Sequence, residues 1–455
     1  MSANGVVEAA PGERHGGDLG ASLKDLVAGI LDEARRQGAS AAEVSAGDST
    51  GVVVSVRKGD LETVEFTNDR GFGITVYLGA RTGSASTTDA GSDAMRETVR
   101  AAINIAKFTE EDPCNGLADA ELMARALPDL DLDHPWELDV HEATERALEA
   151  EAEALAHDSR IVNSEGANVA THRGFHVYGN SHGFLEVSSG TRHSTACSVI
   201  AEDAGGMQRD HWYTVSRVPE HLEDPVDVGR EAGRRAVARL GRRPVATGSY
   251  PVLFAPPEAG GLIGNLLAAI SGGVLYRNAS YLVGALGRRA AAAGITLAEE
   301  PHRRQGLGSA SHDGDGVATR AKAFIDDGVV ANYILGSYSA RRLGMTTTGN
   351  AGGVFNLDLK AEMRSPAALM RDMGTGLLVN GLIGQGVNLV TGDYSRGASG
   401  IWIENGEPQH PVDEITIAAN LDDMLKGIVG CGDDIDRRGN IHTGSLLIRE
   451  MTVAN

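Results

Sequence analysis

Near its C-terminus the chain sets an acid, a base and several hydroxyls among glycines. The stretch runs Gln385-Gly386-Val387-Asn388, then Thr391-Gly392-Asp393-Tyr394-Ser395-Arg396-Gly397-Ala398-Ser399-Gly400. Glycine is expected where backbone turns sharply or approaches something closely, and polar side chains held there could bind or react. Specific chemistries can be tested against the spacing. Gly397-Ala398-Ser399-Gly400 falls one residue short of the GxSxG elbow that presents a serine nucleophile. Gly306-Leu307-Gly308 begins a dinucleotide fingerprint without its third glycine, and no Gly-Lys-Ser/Thr phosphate loop occurs. Asp313-Gly314-Asp315-Gly316 lacks the later ligands of a calcium loop and reads as a turn. Ser311-His312-Asp313 are merely adjacent, whereas a catalytic triad converges in space.

Metal chemistry finds no better footing. His141-Glu142 is the single His-Glu pair, and no second histidine follows one turn later to share its helix face. His172 and His176 lie four apart in strand-like sequence, which separates them by ~13 Å. Cys114, Cys197 and Cys431 are widely spaced and form no CxxC, which excludes an all-cysteine zinc site and suits a reducing compartment.

The elements that must position these residues come from 455 residues, enough for two to four domains at ~150 residues each. The net charge of −21 argues against nucleic-acid or anionic-membrane partners, because phosphate recognition needs clustered Lys and Arg. No apolar run approaches the ~18 residues of a membrane span, so a soluble, cytoplasmic protein is expected. Residues 1–21 have no apolar signal segment and read as a disordered tail. Apolar periodicity predicts a helix over Leu23–Arg36, then strands at Ala42–Ala46, Val52–Lys58, Asp60–Asn68, Gly73–Leu78 and Arg81–Thr88. A helix over Ala94–Lys107 follows. After an irregular linker at 112–138, the same order returns: helix Val140–His157, five strands between Ile161 and Val215, helix Pro225–Leu240. Arg242-Arg243-Pro244 marks a boundary. Beyond it, strand Tyr250–Ala255 leads into a helix over Glu258–Ser271. Hairpins are predicted at Asp326–Gly328 and at Asn405-Gly406, with strands at Val329–Leu335, Gly376–Ile383, Ala398–Glu404, Glu407–Pro411 and Ser445–Met451. The fold class is α+β: an N-terminal α/β subdomain (22–111), a central one (139–243) and a β-rich C-terminal domain (246–455).

The C-terminal third also carries recognisable phrases. Ala269-Ile270-Ser271-Gly272-Gly273 precedes Leu275-Tyr276-Arg277, and Gly306-Leu307-Gly308-Ser309 precedes Asp313-Gly314-Asp315-Gly316-Val317. Ser337-Tyr338-Ser339-Ala340-Arg341, Thr348-Gly349-Asn350-Ala351-Gly352-Gly353 and Glu414-Ile415-Thr416-Ile417-Ala418-Ala419-Asn420-Leu421 complete them. With the opening stretch, these resemble the TldD/PmbA family of metallopeptidases, in its PmbA (TldE) branch, densely from about 250 to 455 and more weakly from about 22 to 245. The resemblance implies a subunit of a heterodimeric zinc protease. A TldD-like partner would hold the zinc through HExxxH on the helix after the strand equivalent to Tyr250–Ala255. Here Pro257 and Leu262 stand at the two histidine positions and only Glu258 persists. The expectation is therefore no catalytic residue and no metal in this chain. It would shape a cleft for peptides, unfolded small proteins or a maturing natural product, with Tyr338, Arg341, Asp393, Tyr394 and Arg396 as substrate-binding candidates. Two other readings stay open: a self-sufficient amide hydrolase acting on a biosynthetic intermediate, and a non-enzymatic homodimeric binding module.

Overall fold

The structure is a computed structural model that describes residues 16–455. The first helix, α1 (Gly16–Arg36), begins earlier than its periodicity predicts, so residues 16–21 are helical rather than tail; residues 1–15 lie outside the described residues. The predicted short strands merge into long ones. They are β1 (Ala41–Arg57), β2 (Asp60–Leu78), β3 (Arg81–Thr87), β4 (Ile161–Asn180), β5 (Leu185–Asp203) and β6 (Gly206–Ser216). Helix α2 (Ser92–Phe108) follows β3, α3 (Val140–Ala156) precedes β4, and α4 (Pro225–Ala238) follows β6. The two meanders form one six-stranded sheet, in the order β3-β2-β1-β4-β5-β6.

Contact density divides the chain into two compact units. One holds residues up to Ser49 with Asn68–Leu117 and Gly174–Ser189; the other holds Thr50–Thr67, Ala118–Arg173 and Gly190–Asn455. In the first, Leu23, Val27 and Ile30 of α1 and Val99 and Ile103 of α2 pack with Val44, Phe72, Ile74 and Val76 from one face of the strands. The alternating burial of β1 and β2 explains why those positions are apolar. In the second, α3 and α4 pack tightly through small residues, because a Cβ on Gly229 would lie 2.0 Å from the Ala150 carbonyl oxygen. Glu151 of α3 is 1% exposed. Its carboxylate accepts the N–H groups of Lys58 and Gly59, each at 2.8 Å. Those residues form the β1–β2 turn with φ of 55° and 81°, so the buried acid holds a left-handed turn closed.

The rest of the second unit is β-rich. Its strands are β7 (Gly248–Phe254), β8 (Thr296–Glu299), β9 (Lys322–Asp326), β10 (Val329–Val330), β11 (Leu357–Lys360), β12 (Met363–Arg364), β13 (Gly376–Ile383), β14 (Asp393–Glu404), β15 (Glu407–Asn420), β16 (Ile428–Gly432), β17 (Ile441–His442) and β18 (Leu446–Ala454). The helices are α5 (Pro256–Ala269), α6 (Gly272–Tyr276), α7 (Ser337–Arg342), α8 (Pro366–Met373) and α9 (Leu421–Lys426). A five-stranded sheet runs β10-β9-β8-β11-β17, and a seven-stranded one runs β12-β16-β18-β15-β14-β13-β7. Strand β7 pairs in parallel with β13 and antiparallel with β18, so β18, β15, β14, β13 and β7 close into a ring. Asn405-Gly406 makes the predicted hairpin, with φ of 53° and 80°. The predicted strand at Val329–Leu335 is only two residues long, because the chain leaves the sheet after Val330. No helix among the described residues is long and apolar enough to cross a membrane.

Candidate functional site

Strand β7 runs directly into α5 through Ala255-Pro256-Pro257-Glu258. The Ala255 N–H bonds the Val379 carbonyl at 2.9 Å, extending the parallel pairing with β13 by one residue. Two prolines then preset φ for the first helical turn, where their missing N–H groups have no intrahelical partner to lose. The helix they start is buried on most sides, through Ala259, Leu262, Ile263, Leu266 and Leu267. Leu262 is 1% exposed and belongs to the main apolar core. It cannot ligate a metal and neither can Pro257. Glu258 stands between them as a single carboxylate, so this corner does not fit a zinc ion. Among the described residues, no group of three or more His, Cys, Asp or Glu side chains could hold a metal.

Glu258 faces charges instead. Burial pushes its carboxyl above the ordinary range, while the guanidinium groups of Arg396 and Arg235 pull it back down and Asp210 adds to the rise. Arg396 reaches this corner from β14, and its Nε is buried without a hydrogen-bond partner. Tyr394, two residues before it on the same face of β14, is 2% exposed. Burial raises its phenol to about 12, against the lowering influence of Arg396. The neighbouring acids are matched by arginines of α4 and of the segment that follows it. Asp210 lies 3.1 Å from Arg235 Nε and 3.5 Å from Arg239 Nη1. Arg239 also donates to Gln208 Oε1 at 3.2 Å and to Ser399 Oγ at 3.0 Å. Gln208 Nε2 in turn donates to Asp413 at 3.1 Å, and Arg242 sits 3.5 Å from the same carboxylate. This seam ties β6 and α4 to β14 and β15. It offers no nucleophile beside a base and no metal triad, and its geometry suits holding elements together around a charged corner.

The glycine-rich stretch enters its strand at Asp393, five residues before the predicted start at Ala398. Residues 393–400 run within β14, and β14 pairs with β15 from Asp393↔Asn420 onward. Gly392 does turn with φ +80°, as its neighbours suggest, but Gly397 is not among the positive-φ glycines. Gly400 is needed for close approach, since a Cβ there would fall 1.9 Å from the Leu378 carbonyl oxygen. Asp393 is exposed and accepts the Thr391 hydroxyl at 2.6 Å, so it does not pair with Arg396. Arg396 and Tyr394 therefore share the Glu258 corner, and Asp393 does not.

Tyr338 and Arg341 belong elsewhere, on α7. Tyr338 is 37% exposed. Its ring stands edge-on to Tyr276 at 5.8 Å, and Arg277 and Arg342 lie over the Tyr276 ring at 5.2 Å and 5.5 Å. Arg341 Nη2 lies 3.4 Å from Asp119. The hollow beside α7 has a volume of about 500 Å³, and its lining includes Asp315, Ser337, Tyr338, Asn350 and the Gly352-Gly353 backbone. Asp315 and Ser337 are joined through the Ser337 N–H, and Asn350 bonds Glu299 instead, links that no spacing along the chain encodes. The one sequence signal is that Asp315 and Asn350 sit in glycine-rich phrases. Arg235 and Asp210 carry no such signal.

Three profiles of one family match the chain in order. PmbA/TldA metallopeptidase domain 1 covers residues 42–106, the central domain 133–240 and the C-terminal domain 247–455. The chain is 46% identical to Metalloprotease PmbA of Escherichia coli O157:H7, over 95% of this chain and 96% of that protein. A solved structure from Bacteroides thetaiotaomicron superposes with a TM-score of 0.90 at 26% identity, covering 95% of this chain and 99% of that one. TldE from Thermococcus kodakarensis shares the fold, with a TM-score of 0.82 at 19% identity over 94% of this chain and 100% of that one.

Proposed function

We propose that this chain, which belongs to the PmbA/TldD family of metallopeptidases, serves as the subunit that completes a substrate cleft beside a TldD-type partner carrying HExxxH and its zinc. The observation that carries this reading is the α5 corner. A proline and a core leucine occupy the two positions where imidazoles would bind metal, and the remaining Glu258 faces arginine charges. The chemistry of bond cleavage would come from the partner's metal. This chain's residues would bind and orient an extended peptide, whether from an unfolded small protein or a maturing natural product.

Co-expression with an HExxxH-bearing relative is the test. The two chains should co-purify with zinc and hydrolyse peptides. Activity should vanish on changing the partner's histidines and survive Glu258→Gln here. Stoichiometric zinc together with peptidase activity in this chain alone would overturn the assignment.

A further inference from the structure

Strand β2 is longer than the strand beside it. It runs from Asp60 to Leu78, and β3 pairs with it only from Phe72↔Thr87 to Leu78↔Arg81. Because β3 ends the six-stranded sheet on that side, no other strand among the described residues lies against the outer edge of Asp60–Gly71. The part of this edge from Asp60 to Thr67 belongs to the same compact unit as α3 and α4. It is held in place. Glu151 clamps the β1–β2 turn through the N–H groups of Lys58 and Gly59, and Val64 packs against the core of Val52, Val54 and Val56. A strand anchored in this way keeps its extended shape. Its outer side then presents main-chain N–H and C=O groups, which no strand pairs, over ~25 Å.

The side chains give this edge no cover. Asp60 to Thr63, Glu65 and Phe66 are exposed. Leu61 is 48% exposed and Phe66 74%. Alternation puts Phe66 on the face of Val64 and Leu61 on the opposite face, so apolar surface flanks the open edge on both sides. Proteins commonly blunt such an edge with charge, proline or a bulge. Here the charge has one sign. Asp60, Glu62, Glu65 and Asp69 stand along the strand, with no lysine, arginine or proline between them. Arg57 lies 3.7 Å from Glu62, Arg70 is held by Asp48 at 2.6 Å, and Lys58 stands in the turn at the strand's end. The acids select among occupants. A second copy would lay the same carboxylates against these, and the chain's net charge of −21 adds to that repulsion. A strand of opposite charge would gain at each cross-strand pair.

We propose that the outer edge of β2 over Asp60–Thr67 is a docking strand for a basic extended segment of a partner protein. That segment alternates Lys or Arg with apolar residues and adds to the sheet by main-chain pairing. Docking there does not depend on which chain holds a metal.

The test uses the full-length protein and two labelled octapeptides, one alternating lysine with valine and one alternating glutamate with valine. Binding is read by fluorescence anisotropy, and amide hydrogen exchange by mass spectrometry. The lysine peptide should bind about tenfold or more tighter than the glutamate peptide, and it should slow exchange within Asp60–Thr67. Reversing charge with Glu62→Lys and Glu65→Lys together changes only exposed side chains. It should weaken the lysine peptide about tenfold and let the glutamate peptide bind instead. Phe66→Ser should weaken the lysine peptide about threefold, through lost apolar contact. Equal affinity for the two peptides, protection that falls elsewhere on the chain, or unchanged binding in the charge-reversed variant would each overturn the proposal. Dimerisation of the protein alone in sedimentation velocity, with protection of these same residues, would assign the edge to a second copy and overturn it as well.

Discussion

The corner around Glu258 and the hollow beside α7 use the same materials, carboxylates and arginines among glycines, and reach opposite balances. At the corner, each acid faces a cation: Glu258 faces Arg396 and Arg235, Asp210 faces Arg235 and Arg239, and Asp413 faces Arg239 and Arg242. What remains there is a donor, the Arg396 Nε. Beside the hollow, Arg277 and Arg342 stack on Tyr276, and the buried atoms left without partners are the acceptor-capable oxygens of Asn350 and Ser337. Side chains that already match one another build structure. Side chains with unmatched buried atoms cost stability, about 1–3 kcal/mol for each unpartnered group.

The largest test of this contrast is to force metal chemistry on the corner. Leu262→His would bury an imidazole in an apolar core and leave a void, so it should lower stability by about 2–5 kcal/mol in chemical denaturation. A variant carrying both Pro257→His and Leu262→His that folds normally and binds zinc would show the corner to be more adaptable than its packing implies.

The loop that carries Asp315 should report itself through pH. Asp313 is 2% exposed, and its carboxylate accepts the N–H groups of Asp315, Val317 and Ala351, each at 2.9 Å. Burial, with help from the Asp315 charge, pushes this carboxyl from 3.8 up to about 6 despite those bonds. A raised value means that the folded state holds the proton more tightly. The stability it contributes is complete below pH 3.8 and is lost as pH rises through about 6. The gap is equivalent to about 3 kcal/mol. Asp313→Asn should flatten the stability profile across that window, measured by denaturant midpoints at successive pH values. An unchanged slope would remove Asp313 as its source.

Smaller effects follow at the seam and the turn. Arg235→Met leaves Asp210 with Arg239 as its remaining arginine and the His211 N–H as a donor, and should cost about 2–3 kcal/mol, less than a fully orphaned charge. Gly392→Val forces a branched residue to φ +80° against Asn420, where the nearest approach of a Cβ is 2.9 Å. It should cost about 1–3 kcal/mol in thermal denaturation. Gly397→Val should be milder, because that backbone is extended and an added Cβ meets Ile383 only at 3.5 Å. Equal damage in both variants would show that crowding, not φ, governs this stretch.

Glycine is also where the sequence misleads about the strands. Gly51 falls in a predicted gap between two strands, yet it lies inside one long strand. A Cβ on Gly51 would lie 2.1 Å from His172 Nδ1, so this residue is small to admit a neighbour rather than to turn the chain. From one sequence the two causes look alike. Helices were easier, because a 3.6-residue apolar period carries its own register: α3 starts at Val140 and α4 at Pro225, as predicted. Merging of the two meanders into one sheet was not legible, since strand pairing depends on partners more than a hundred residues away.

By itself, the sequence determined helices α1 to α4 and the strand-rich segments between them, the turn at Asn405-Gly406 and the absence of histidine from the α5 corner. These are local properties, set by residue type, period and φ preference. Only the tertiary structure decided that β7 would pair with both β13 and β18, that Arg235 and Arg396 would meet at Glu258, and that Ser337, Asn350 and Asp315 would line one hollow. Those meetings depend on backbone hydrogen bonds and close packing between distant segments, and no spacing along the chain encodes which side chains such packing leaves without a partner.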